Sequence, residues 1–160
     1  MGCRVLVVED DQSTRALYES FLRGRGHEVV SVKSAEDAIK VFNPSFFDCI
    51  LTDYKLPKMN GIDLVRSLRN QDDRTGVVVV TADDRDAVDE QCGGLSVWSV
   101  LPKPVPLQTL ADNISAACEF SHMPAEEEAK LTQEFLKETK KMKDLHTDLL
   151  NETSLDIQIP

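Results

Sequence analysis

No apolar run in the chain approaches the roughly 18 residues that a membrane-spanning helix requires, although hydrophobic residues make up 41% of its 160 positions. Basic residues are also scarce, with 18 Lys and Arg against 28 Asp and Glu and a formal net charge of −10. Phosphate contacts need clustered cations, so direct binding to nucleic acid or to an anionic membrane is not expected. The acidic balance suits a cation-binding or protein-binding role instead. Cysteine is present at Cys3, Cys49, Cys92 and Cys118, but no CxxC spacing occurs. These residues read as buried, reduced thiols of a cytoplasmic protein, ahead of zinc ligands or disulfides. The three histidines lack partners at ligand spacing; His27 reads as a turn residue, and His122 and His146 as exposed. The opening MGCRVLVVEDD meets acids too early for a signal peptide. Leu6 stands where a myristoylation motif carries Ser or Thr. Internal repeats and low-complexity tracts are missing too.

The first 120 residues instead alternate short apolar runs with amphipathic stretches. The runs at 4–8, 28–32, 48–52, 77–81 and 97–101 are rich in Val and Ile, as strands buried on both faces of a parallel sheet are. Helices are expected at 13–25, from Ser34 onward with Asp37 in a capping-box-like position, at 62–69, at 83–92, and from Pro106 to about Cys118. Five β-α repeats imply an α/β fold, a doubly wound parallel sheet with helices on both faces and right-handed crossovers.

From residue 121 the composition shifts. Residues 121–160 contain no Gly and no strand-like run until the very end. Pro124 and the acids Glu126, Glu127 and Glu128 mark the start of a helix over about 124–150. Leu131, Phe135, Met142, Leu145 and Leu149 follow 4-3 spacing around one polar interruption, Glu138. Such a stripe suits a helix lying on its own domain, a coiled-coil homodimer or partner-docking helix, or a linker to a further domain. The expected organisation is therefore a domain over 1–120 and a C-terminal helical extension over 121–160.

Ligands of open α/β sheets bind outside the carboxyl ends of the strands. Those ends carry Glu9, Asp10 and Asp11, then Asp53, then Thr81, then Lys103. Carboxylates gathered at one edge repel each other at neutral pH. A hard cation removes that cost, and Mg²⁺ favours a few carboxylates together with water and phosphate oxygens. A Lys and a Thr at the same edge suit phosphoryl oxygens, and one carboxylate could be a nucleophile that forms an acyl phosphate.

The stretches VLVVEDD at 5–11, ILTDYKLPKMNGIDL at 50–64, VVVVTADD at 77–84 and LPKPV at 101–105 together resemble the response-regulator receiver domain of two-component phosphorelay systems. The resemblance covers residues 4–119 and implies a flavodoxin-like sheet of five strands in the order 2-1-3-4-5. It implies that Asp53 accepts phosphate from a histidine kinase or phosphotransfer protein. Mg²⁺ would be held by Asp10 directly, by Glu9 through water, by Asp53, and by the backbone carbonyl of Lys55. Thr81, beside the small residue Ala82, would hydrogen-bond a phosphoryl oxygen, Lys103 would pair with it, and Lys103-Pro104 would be a cis peptide. Pro57 and Gly61 would shape the loop into the third helix.

Two positions depart from the family pattern. Val100 occupies the place where receivers usually carry Tyr or Phe, and it has no ring to swing inward. Trp98 has the same strand parity and is expected to expose an aromatic on that surface. Pro102 removes a backbone donor at the strand's end. These departures bear on signal output, not on the phosphoacceptor chemistry. Turnover of an external substrate is not expected: Mg²⁺-dependent phosphohydrolases commonly carry a second Asp two residues after the nucleophile, and here Lys55 stands there. A receiver piece of a longer regulator is the remaining alternative, and no helix-turn-helix follows residue 120.

Overall fold

The five apolar runs form five parallel strands because each can be buried on both faces only between two layers of helices. The computed structural model describes residues 2–71 and 74–155. Its elements run β1 (Arg4–Val8), α1 (Gln12–Gly24), β2 (Glu28–Val32), α2 (Ala35–Val41), β3 (Cys49–Asp53), α3 (Gly61–Arg69), β4 (Gly76–Thr81), α4 (Arg85–Gln91), β5 (Ser99–Pro102), α5 (Leu107–Ser121) and α6 (Ala125–Leu155). The sheet order is β2-β1-β3-β4-β5, parallel throughout. The chain divides into two units, Met1–His122 and Met123–Pro160.

In the first unit, alternate strand residues feed two apolar cores. Leu6, Val8, Ile50, Val79 and Val100 pack with Ala38, Leu64, Val65, Leu68 and Val88 of α2, α3 and α4. Val5, Val7, Leu51, Val78 and Val80 pack with Tyr18 and Leu22 of α1 and with Leu110, Ile114 and Ala117 of α5. The helix starts carry the caps their sequences offer. Ser34 accepts the Asp37 N–H at 3.1 Å, and Asn60 accepts that of Asp63 at 2.8 Å. Asp11 caps α1 through the Thr14 N–H at 2.8 Å, which commits this acid to helix capping.

Several expectations shift. β3 runs one residue later than 48–52, because Asp48 turns its side chain back to accept the Arg4 N–H at 2.8 Å. β5 begins at Ser99, not 97, and includes Pro102. The fourth helix shortens to Arg85–Gln91 with Asp84 as its cap. Trp98 therefore precedes the strand, and strand parity does not govern it. Its ring lies 5.4 Å from that of Phe120 on α5, not on the Val100 face.

The cysteine expectation is corrected for two of the four residues. Cys3 and Cys118 form a disulfide across a sequence separation of 115, while Cys49 and Cys92 are free and buried. β1 and α5 are adjacent in space, which no local spacing rule reveals. His27 is likewise buried, not a turn residue: its Nδ1 accepts the Cys3 N–H at 3.1 Å. His122 is exposed as expected and pairs with Asp48 at 3.0 Å.

The described residues of the second unit carry one helix. α6 continues past the expected end at about 150 to Leu155, and its described side chains are exposed except for a half-buried Thr139.

Candidate functional site

The carboxyl ends of β1, β3, β4 and β5 meet at one edge of the sheet. An open cleft there, of about 510 Å³, is lined by Glu9, Asp10, Asp11, Asp53, Lys55, Leu56, Pro57, Ala82, Asp83 and Lys103. Asp53 is the last residue of β3 and stays in register opposite Val80, so the sheet itself sets the position of its carboxylate. The next backbone N–H, that of Tyr54, donates to Val80 O at 2.8 Å, and Gly61 N–H donates to Tyr54 O at 2.7 Å. A Cβ on Gly61 would lie 2.4 Å from Asp53 O. Glycine is required here because two backbones approach directly behind the aspartate.

One ammonium serves two acids. Lys103 Nζ lies 2.9 Å from Asp53 Oδ2 and 3.5 Å from Glu9 Oε2. The lysine arrives through its own backbone, whose N–H donates to Thr81 O at 2.7 Å, and the Lys103-Pro104 peptide is cis. Burial opposes the charge on Lys103. The hydrogen bond and charge of Asp53, joined by Glu9, outweigh that cost and raise its pKa. Glu9 is only 2% exposed. Burial, then the charge of Asp53, pushes its carboxyl up to about 7, with Lys103 and the Asp11 N–H pulling the other way.

Glu9, Asp10 and Asp53 each offer an oxygen, and these oxygens lie within 4.8 Å of one another. Asp10 is exposed while the other two are buried, which leaves a solvent path into the group. Three hard oxygen donors, with Lys103 in contact with two of them, fit a divalent ion that keeps part of its water shell. Thr81 is buried at the end of β4, and its Oγ1 accepts the Asp83 N–H at 2.9 Å. That bond uses the hydroxyl as an acceptor and leaves its proton free to donate. Ala82 lines the cleft beside it without filling it.

Of the site residues read from the sequence, Glu9, Asp10, Asp53, Lys55, Ala82 and Lys103 line this cleft, Thr81 lies buried next to Ala82, and Pro104 follows Lys103 on the rim of a neighbouring groove. Val100 lies elsewhere, buried within the sheet core. Two features escaped the sequence reading. Arg15 on α1 donates to Glu9 O at 2.9 Å and to Asp10 O at 3.4 Å, pinning the acidic loop from behind. Its spacing of five and six residues from those acids was the available signal. Arg85 Nε donates to Val100 O at 2.7 Å, and Tyr54 OH donates to Gln91 Oε1 at 3.1 Å. Both contacts tie α4 to the strands that carry the site.

A doubly wound parallel sheet thus gathers acids, a threonine and a lysine at its strand ends. The chain belongs to the response regulator receiver domain family, whose pattern matches residues 5–115. It is 30% identical over 138 residues to the Regulator of RpoS of Escherichia coli, a match covering 84% of this chain and 41% of that protein. A response regulator receiver protein of Anaeromyxobacter is 32% identical over 109 residues, covering 68% of this chain and 46% of its own length. The chain thus spans less than half the length of these relatives. Among solved structures, a CheY-like response regulator receiver domain protein of Methanospirillum hungatei superposes with a TM-score of 0.70 at 22% identity, covering 76% of this chain and 97% of that one. A sensor protein of Polaromonas gives 0.67 at 29% identity, covering 74% and 98%. Phosphoacceptor signalling in a two-component system is the function class of this family, and of this chain.

Proposed function

We propose that Asp53 is the phosphoacceptor. The observation that carries this reading is the contact of Lys103 Nζ with Asp53 Oδ2 at 2.9 Å inside a cluster of three acids. In the step envisaged, an Asp53 carboxylate oxygen forms a bond to phosphorus as the N–P bond of a phosphohistidine breaks, and the imidazole leaves with the electron pair. Lys103 would then move its ammonium from the carboxylate to a phosphoryl oxygen, and Thr81 would donate its hydroxyl proton to another. Arg15 would hold the carbonyls of Glu9 and Asp10 so that their carboxylates keep facing Asp53. Mg²⁺, held by Glu9, Asp10, Asp53 and the Lys55 carbonyl, would supply charge neutralisation at the transferring group.

The donor would be a sensor histidine kinase or phosphotransfer protein of the cytoplasm. The acyl phosphate would be lost by hydrolysis at the same site, without turnover of an external substrate. The receiver of residues 1–120 would pass its state on through its surface or through the helical extension of 121–160. That extension would associate two copies as a homodimer, because its apolar stripe is exposed. As a piece of a longer regulator the chain would instead join its receiver to an output domain.

The test is intact mass after incubation with a small phosphodonor such as acetyl phosphate. One phosphoryl group should be added in the presence of Mg²⁺ and none in EDTA or in Asp53→Asn. Addition to Asp53→Asn under the same conditions would assign the acceptor to another residue.

A further inference from the structure

α6 is 31 residues long, about 46 Å at the helical rise, and its large apolar side chains stand in solvent. Leu131, Phe135, Met142, Leu145 and Leu149 are between 46% and 72% exposed. Their spacing of 4, 7, 3 and 4 residues places Phe135, Met142 and Leu149 at one seam position of a heptad, and Leu131 and Leu145 at the other. Glu138 falls on that second seam position, between Leu131 and Leu145. A stripe this narrow matches a facing helix of the same pitch better than a flat protein surface.

The charges beside the stripe choose the direction. The antiparallel alignment that buries most of the stripe sets Phe135 against the twin's Leu145 and Leu131 against its Leu149. That alignment also places Lys141 against the twin's Lys141 and Glu134 against its Asp148, so like charges face each other along one side of the seam. In a parallel, in-register pair each seam residue meets its own copy. Glu134 then faces the twin's Thr139, and Lys141 faces its His146, with no like-charged pair on the flanks. A parallel pair shifted by one heptad would bury Leu131 and Leu145 against glutamates. Only the in-register parallel pair matches all five apolar positions and avoids flank repulsion. Its one liability is Glu138 against Glu138.

We propose that α6 joins two copies of this chain as a parallel, in-register coiled coil whose strength is set by the Glu138 pair at its centre. The proposal rests on the homodimer reading above and adds its direction, its register and the residue that limits it. A seam glutamate keeps the pairing weak, since two carboxylates lose water and repel on association.

The experiment uses the full chain in sedimentation equilibrium, with substitutions on the exposed face of α6 that leave the first unit's core untouched. Glu138→Leu should tighten the dimer at least tenfold, and Met142→Lys should weaken it at least tenfold. Glu138→Lys alone should pair as poorly as wild type or worse. Mixed with wild type, of which one copy carries a tag of resolvable mass, it should form heterodimer beyond the statistical share, since only a parallel register sets the introduced ammonium against the wild-type Glu138 carboxylate. A dimer with the statistical share of heterodimer would overturn the direction and register while leaving the homodimer reading in place. Wild type and Glu138→Leu that both remain monomeric at the highest soluble concentration would overturn the homodimer reading and this proposal with it.

Discussion

Lys103 and Asp53 sit 50 residues apart in sequence and share a hydrogen bond of 2.9 Å across the end of the sheet. The contact holds a cation against the residue proposed to be the nucleophile, and the same ammonium lies 3.5 Å from Glu9. Lys103 thus does two jobs in the resting protein. It offsets repulsion among the acids, and its charge would compete with a divalent ion for the same carboxylates.

Replacing Lys103 with Met separates those jobs. Resting stability should fall by about 1–3 kcal/mol, the range for a charge-assisted hydrogen bond lost at a partly buried site. Affinity for Mg²⁺ should rise, because a competing positive charge has left the cluster. Phosphoryl incorporation should nevertheless slow, since the leaving and arriving charge loses its counter-ion. Urea denaturation, Mg²⁺ titration by calorimetry and timed mass spectrometry read the three effects. A variant that binds Mg²⁺ more weakly would show that Lys103 positions the acids and does not compete for them.

Asp10 is the exposed member of the acidic group, so removing it should leave the fold intact. Wild type should gain thermal stability with Mg²⁺, by about 2.7 kcal/mol when the free ion reaches a hundred times its dissociation constant. Asp10→Ala should lose that gain while melting in EDTA no lower than wild type, because one repelling charge has gone. Differential scanning calorimetry with and without Mg²⁺ measures both, and a full Mg²⁺ shift in the variant would remove Asp10 from the ligand set.

The sheet and most of the site were legible in the sequence for a shared reason. Strands buried on both faces must be continuous apolar runs, and a polar residue directly after such a run sits at the sheet's edge. Asp53, Thr81 and Lys103 announce themselves that way. What stayed hidden depends on distance in the fold and not on local pattern. Cys3 directly precedes β1 and Cys118 lies on α5, 115 residues away, and nothing beside either one says that they meet. Trp98 is exposed as expected, but its ring lies beside Phe120 of α5, since it stands one residue before the strand, where parity no longer fixes the face. Arg15 spends its guanidinium on backbone carbonyls, so only its spacing from Glu9 and Asp10 hinted at the contact.

The Cys3–Cys118 bond should matter to stability more than any single packing contact. It closes a loop spanning nearly the whole first unit, and cross-linking a chain of that length restricts the unfolded ensemble by about 4–5 kcal/mol in the chain-entropy account. Reduction should therefore lower the urea midpoint of wild type markedly. Cys118→Ser should start at that lower midpoint and show no further response to reductant. Free-thiol counting under denaturing conditions should give two thiols before reduction and four after. Four thiols in the untreated protein would show that the bond does not form.

His27 should make the first unit sensitive to mild acid. Its imidazole is buried, and its Nδ1 accepts the Cys3 N–H at 3.1 Å and lies 3.3 Å from Cys3 Sγ. The proton of the neutral ring therefore belongs on Nε2. Burial, reinforced by nearby positive charge that includes Arg25, lowers its pKa below the ordinary 6.5. A proton added at Nδ1 would point at an N–H donor and would charge a ring held out of water. The unfolded chain thus binds a proton that the folded chain refuses. By linkage the full contribution of His27 to stability is present above about pH 6.5, the ordinary histidine value, and is lost progressively as pH falls from there through the depressed folded value. His27→Gln keeps an oxygen acceptor for the Cys3 N–H and has nothing to titrate. Between about pH 7.5 and 5.5 the urea midpoint of wild type should drop more steeply than that of His27→Gln, the two curves converging toward the acid side. Parallel curves across that range would mean that His27 takes up its proton in the folded protein as readily as in the unfolded one, and that burial does not govern it.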